Sequence, residues 1–340
     1  MSNTSIISVA TDTTDLVQKI KNKKIKHDRI GQLMQDVFTY AHLGSDTMLL
    51  IVGPPGIGKS TVADTLTTDI LRRHEQQMLK DPALIPVLRI EARSCGEINF
   101  DWKLFYTSIL EALESSDIPV LDYAINPVNN QLVRPRGLGR NSKAGLRRAV
   151  EKALKARGVK FLLIDEAGHL TNVSARHIKI QMDTLKSLAN NSGCQIVLFG
   201  AYDVHQIVSL SGQLARRIKV LHFERYREEV QEDVQAFSGC LKSYEIAADG
   251  RFEGLLIRYA RELHQNCLGC VGILSPLVQT LALLVQTKGK ATKEMLESCM
   301  LSDSARKKIL DEILDGENEV RPSLYGHFTN SNSKQKKVAA

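Results

Sequence analysis

The chain has 340 residues, a formal net charge of +7, 43% hydrophobic and 24% charged residues. These are the proportions of an ordinary globular protein with room for one large domain and a smaller one. The opening MSNTSIISVATDTTD lacks a basic n-region and an apolar core, so a secretory signal is not expected. The longest apolar run, 270–285, is interrupted by Pro276 and Gln279 and is too short to span a bilayer, so no membrane partner is expected. Six scattered cysteines suit a reducing cytoplasm better than a disulfide framework. The close pair Cys267 and Cys270 lacks a second pair at zinc-ligand spacing and reads as two small residues on a helical turn.

Residues 1–26 are polar, rich in Thr and then Lys, and are expected to form a flexible N-terminal segment. A helix is predicted over 28–43, where Ile30, Leu33, Met34, Val37 and Phe38 fall at helical spacing. Five short apolar runs follow, at 47–53, 86–92, 159–166, 194–200 and 218–224, with helical stretches between them. Continuous apolar strands alternating with helices predict an α/β fold with a five-stranded, mainly parallel sheet covered on both faces. After Arg227 the strand signal stops: 227–316 is predicted as a small C-terminal helical subdomain and 317–340 as a disordered tail.

The first strand runs into GPPGIGKST, residues 53–61, which fits G-x-x-x-x-G-K-[ST] without a mismatch and leads into a helix. In such a loop Gly53, Pro54, Pro55, Gly56, Ile57 and Gly58 curl the backbone so that N–H groups point at phosphate oxygens. Lys59 reaches the β- and γ-phosphates, Ser60 holds Mg²⁺, and Thr61 continues the helix start. The third strand, KFLLIDEAGHL (160–170), ends in two acids at the sheet edge where ligands of this architecture bind. Asp165 can support the Mg²⁺ shell, and Glu166 can orient or deprotonate an attacking water. Together these motifs predict hydrolysis of a nucleoside triphosphate. No guanine-specifying N-K-x-D occurs.

Between the second and third strands, residues 134–160 carry ten Lys or Arg and one acid, Glu151, a local charge of +9 that leaves about −2 for the rest of the chain. Arg134, Arg136 and Arg140 lie in a loop broken by Pro and Gly. A helix is predicted from Ser142, a candidate N-cap, with Leu146, Val150, Ala153 and Leu154 forming an apolar stripe that faces the sheet. Lys143, Arg147 and Arg148 then fall off that stripe. Mobile arginines and lysines of this kind suit sequence-independent, salt-sensitive contacts to DNA phosphates.

With these motifs in place, residues 27–290 resemble the AAA+ ATPases, which implies an AAA+ nucleotide-binding domain over 27–226 and a helical lid over 227–316. The stretch from LLIDEAGHL through QIVLFGAYD to QLARRIKVLHF is further similar to the TnsC/TniB family of transposition regulators. That resemblance implies an ATP- and Mg²⁺-dependent homo-oligomer, a ring or a helical filament, on double-stranded DNA. Such an assembly links a target-selector protein to a transposase. It also implies an arginine finger at Arg217, with Arg216 as the alternative, and DNA held against the basic stretch. At the sensor-1 position Ala201 follows Gly200, with Tyr202 or Asp203 as substitutes. A sensor-2 arginine is not apparent around Ile273, Leu274 and Ser275, and 27–30 would border the adenine. A replication initiator or helicase loader of the same superfamily is the alternative, and a signalling ATPase a more distant one.

Overall fold

The computed structural model describes residues 14–23, 25, 28–42, 48–93, 96, 100–114, 124–125, 132–133, 142–171, 173–210 and 212–320. The five predicted strands form one parallel sheet: β1 (Met48–Val52), β2 (Val87–Glu91), β5 (Phe161–Asp165), β6 (Gln195–Gly200) and β7 (Ile218–His222). Their order is β2-β5-β6-β1-β7, so β1, β5 and β6 are interior. Every residue of those three strands is buried, while β2 and β7, at the edges, are only partly so. That is why the interior strands read as unbroken apolar runs.

Alternate side chains divide between two faces. Leu50, Leu162, Ile164 and Leu198 share a core with α4 (Trp102–Glu114), α5 (Lys143–Ala156) and α6 (Ala175–Ser192). Leu49, Leu163, Val197 and Phe199 share the other with α2 (Asp28–His42) and α3 (Lys59–Lys80). A small antiparallel hairpin, β3 (Ala124–Ile125) and β4 (Leu132–Val133), was not expected from the sequence. The short helices α7 (Gln206–Ser209) and α8 (Gly212–Arg217) lead into β7.

Beyond β7 the described residues are helical: α9 (Gln231–Ala247), α10 (Leu255–Arg258), α11 (Ala260–Asn266), α12 (Val271–Lys288), α13 (Lys293–Cys299) and α14 (Asp303–Val320). α12 is apolar and long enough to cross a membrane by composition alone. In this fold its Leu274, Val278, Leu281 and Ala282 are fully buried at the centre of the helical subdomain.

Two expected boundaries are corrected. Within the segment expected to be flexible, α1 (Thr14–Asn22) is a helix whose Leu16 and Ile20 are buried in the helical subdomain against α12. Four residues of the expected tail, 317–320, complete α14, which returns to the α/β domain and buries Ile313 beside its core. Glu317 is buried and accepts a hydrogen bond from Arg225 Nε at 2.9 Å, so a charge that reads as solvent-facing is an internal partner. Residues 321–340 lie outside those described.

Candidate nucleotide site

The parallel register brings the C-terminal ends of β1, β5 and β6 to one edge, because Val52 lies opposite Gly200 and Ile164 opposite Leu198. Gly53, Asp165 and Ala201, far apart in sequence, therefore begin their loops side by side. The 53–58 loop turns tightly, with Ile57 N–H donating to the Pro54 carbonyl at 3.3 Å, and enters α3 at Gly58. Gly58 has φ 109°, a left-handed conformation that side chains avoid, so glycine is needed there. The loop is also roofed: a Cβ on Gly272, in the first turn of α12, would come within 2.3 Å of the Gly56 carbonyl oxygen. Ile273 packs beside Gly56, so an apolar side chain stands where a sensor-2 charge would be looked for.

Lys59 is half-buried and donates from Nζ to the carbonyls of Gly53 and Pro54, each at 3.0 Å. Burial holds its ammonium below the usual lysine range, while the charges of Glu166, Asp165 and Asp203 act in the opposite sense. Among the described residues Lys59 makes no ion pair, so this partly desolvated cation at a helix N-terminus is complementary to phosphate. Ser60 and Thr61 are exposed on the first turn of α3.

Asp165 closes β5 and is buried; its Oδ1 accepts the Glu166 N–H at 3.0 Å and its Oδ2 accepts Arg89 Nη2 at 2.6 Å. Glu166 is exposed and has φ 53°, an uncommon conformation for glutamate that marks a strained turn. Ser60, Arg89, Ile90, Glu91, Asp165 and Glu166 line a cavity of about 400 Å³. Hydroxyl and carboxylate oxygens are the donors Mg²⁺ prefers, so Ser60 and Asp165 fit that ion.

At the sensor-1 position the two substitutes diverge. Tyr202 hydroxyl bonds His222 Nε2 at 2.8 Å and its ring packs on Gly316 of α14. Asp203 lies beside Gly168, next to the turn that follows Glu166. Arg216 and Arg217 close α8 immediately before β7; Arg216 is exposed, Arg217 half-buried, and neither makes an ion pair among the described residues.

The basic stretch is only partly as expected. Ser142 does cap α5, its Oγ accepting the Gly145 N–H at 3.1 Å, and Lys143 and Arg148 are exposed. The main neighbours of the α5 stripe are α4 and α6. Arg147 departs from the expectation: Nε donates to Glu151 at 2.9 Å and Nη2 to Ser187 of α6 at 2.6 Å, so it joins two helices rather than facing a ligand. Arg134, Arg136 and Arg140 lie outside the described residues.

Sequence reading missed Arg89 and its second partner, Asp64 of α3, to which Nη1 also donates. The available signal was an arginine in the middle of the largely apolar run PVLRIEA.

A family profile described as AAA domain matches residues 42–208. The matched segment holds the 53–61 loop and the β5 acids, and AAA domains are nucleotide-hydrolysing modules, which supports ATPase activity in general. The fold of the whole is that of an AAA+ P-loop NTPase. The ORC1 protein of Aeropyrum pernix, in complex with DNA, shares it at 16% identity and TM-score 0.54, covering 83% of this chain and 68% of that one. A Walker-type ATPase of Pyrococcus abyssi matches at 14% identity and TM-score 0.47, covering 85% and 75%. PCH-2 of C. elegans matches at 15% and 0.43, covering 88% and 72%. No curated protein sequence matches this chain.

Proposed function

We propose that this protein is an ATP-hydrolysing switch that assembles as a homo-oligomer, ring or filament, on double-stranded DNA. The observation that carries the reading is the convergence of Ser60, Asp165 and Glu166 on one cavity, with the Lys59 ammonium in the field of both carboxylates, within the segment that matches an AAA domain. Lys59 and the N–H groups of the 53–58 loop bind and orient the phosphates, and Ser60 with Asp165 holds the magnesium ion. Bound there, a magnesium ion would neutralise phosphate charge. The Glu166 carboxylate accepts a proton from the attacking water, and the roof of Gly272 and Ile273 limits solvent access. Arg217, or Arg216, reaches a neighbouring subunit's nucleotide and stabilises charge on the transferring phosphoryl group.

In this reading the exposed Lys143 and Arg148, with Arg134, Arg136 and Arg140, grip DNA phosphates without reading sequence. The similarity to TnsC/TniB proteins supports a role in transposition, in which the DNA-bound assembly connects a target selector to a transposase. The second reading is a replication initiator or helicase loader. The fold likeness to an ORC1 protein, itself solved with DNA, favours it.

The test is a mixing experiment. Arg217→Ala and Lys59→Ala proteins, each inactive alone, should regain ATPase activity when combined, because a mixed interface pairs an intact loop with an intact finger. ATP-dependent assembly on DNA of unrelated sequences is followed in parallel by sedimentation. Co-assembly without recovered activity at any ratio sinks the shared-site reading, and absence of ATP-dependent DNA assembly sinks the switch. Transposition against initiation is decided by whether the wild-type chain recruits a transposase to ATP-loaded DNA complexes.

A further inference from the structure

Arg89 is the third residue of β2, and its strand neighbours Leu88 and Ile90 are buried on the opposite face. It pairs in register with Leu163, and Glu91 with Asp165, so Arg89 and Asp165 project toward α3. There Nη2 reaches Asp165 Oδ2 at 2.6 Å and Nη1 reaches Asp64, one helical turn after Ser60. The guanidinium thus bridges the strand carrying the candidate magnesium ligand and the helix carrying the other. The Arg89 side chain is 28% exposed, and that of Asp165 12%. Asp165 has two oxygens, and both are used: one by the Glu166 N–H, the other by Arg89. A cation that approaches the second oxygen meets the Arg89 guanidinium there, and the two positive charges compete for one carboxylate. Asp64, with a side chain 54% exposed and already paired with Nη1, keeps hold of the displaced fork.

We propose that Arg89 is a positioning residue, a latch that holds the Asp165 carboxylate until Mg²⁺ displaces it onto Asp64, and so sets the magnesium concentration at which the site loads. The inference rests on the nucleotide reading above. An arginine suits the task because its planar fork spans two carboxylates at once, which a lysine ammonium does not do with the same geometry.

The experiment titrates Mg²⁺, from an EDTA baseline, into the full chain with a fluorescent ADP analogue and reads the midpoint of the fluorescence change. Losing one charge-assisted hydrogen bond from the competitor should lower the midpoint about tenfold in Arg89→Gln. Arg89→Lys keeps the charge but loses the bridge, and its midpoint should also fall. Asp64→Asn removes the place to which the fork retreats, and its midpoint should rise. A wild-type midpoint in Arg89→Lys would mean that charge alone acts, and a raised midpoint in either Arg89 variant would mean that Arg89 supports the cation. Both outcomes overturn the latch. Should the Arg89 variants fail to fold by circular dichroism, the surface variant Asp64→Asn decides alone, and an unchanged midpoint rejects the proposal. If the wild-type chain binds no analogue at any Mg²⁺ concentration, it is the nucleotide reading that fails.

Discussion

The loop at 53–61 and the basic stretch at 134–160 are the two most distinctive passages of the sequence, and the structure treats them differently. In the loop, Gly56, Gly58 and Lys59 take places that the backbone dictates: the left-handed Gly58, the close approach of Gly56 and Gly272, and the Lys59 ammonium on the carbonyls of Gly53 and Pro54. In the basic stretch, neighbouring cations have different fates. Arg147 is consumed in ties to Glu151 and Ser187, while Lys143 and Arg148 remain exposed. A motif that encodes backbone shape constrains its residues jointly. A charge run constrains only a sum, and each member can be diverted by a local partner.

The largest expected effects lie at the first region. Glu166→Gln should retain ATP but lose hydrolysis by about 10² to 10⁴-fold, because the general base is gone while the cradle is intact. Lys59→Ala should weaken nucleotide binding by about 100-fold, since a charged hydrogen-bond donor to phosphate is lost in a partly buried setting. Steady-state ATPase rates and fluorescent-nucleotide titrations check both. Wild-type hydrolysis by Glu166→Gln would return this edge to an ordinary strand end.

How much was legible follows the same division. The five strands of the sheet were readable within one or two residues, the three interior ones because burial on both faces leaves an unbroken apolar run. The Ser142 cap was readable because its partner is three residues away. The hairpin of β3 and β4 was not, since two residues per strand leave no periodicity to detect. Nor was α1, whose docking rests on Leu16 and Ile20 meeting α12 in space. Glu317 lies in a polar stretch, ENEV, and its partner Arg225 is far away in sequence. Arg89 does leave a local mark, a charge inside an apolar run, but its partners Asp64 and Asp165 are far away in sequence, so its role has none.

Glu317→Ala turns that last point into a measurement. The pair is nearly dry, with side chains 4% exposed for Glu317 and 12% for Arg225. Removing one partner leaves the other charge buried, which costs about 3 kcal/mol. Denaturant unfolding should show that loss, whereas a chain ending after Val320 should unfold like the full chain. Equal stability of Glu317→Ala and wild type would mean that the return of α14 contributes nothing to the fold.

The smallest effects separate the cations of α5 from one another. Arg147→Ala removes two side-chain hydrogen bonds, one of them to a carboxylate, between and within packed helices, so it should cost about 1 to 2 kcal/mol of stability. Its effect on the salt dependence of DNA binding should be negligible, because the guanidinium is already bonded to Glu151 and Ser187. Lys143→Ala with Arg148→Ala should do the reverse. Exposed side chains away from packing change stability little, but each cation removed from a DNA phosphate should flatten the slope of log K against log salt by about 0.9. Measuring both quantities for both variants makes the comparison sharp. If Arg147→Ala flattens the slope as much as the exposed pair does, its internal partners release it on DNA, and the charge run acts as a whole after all.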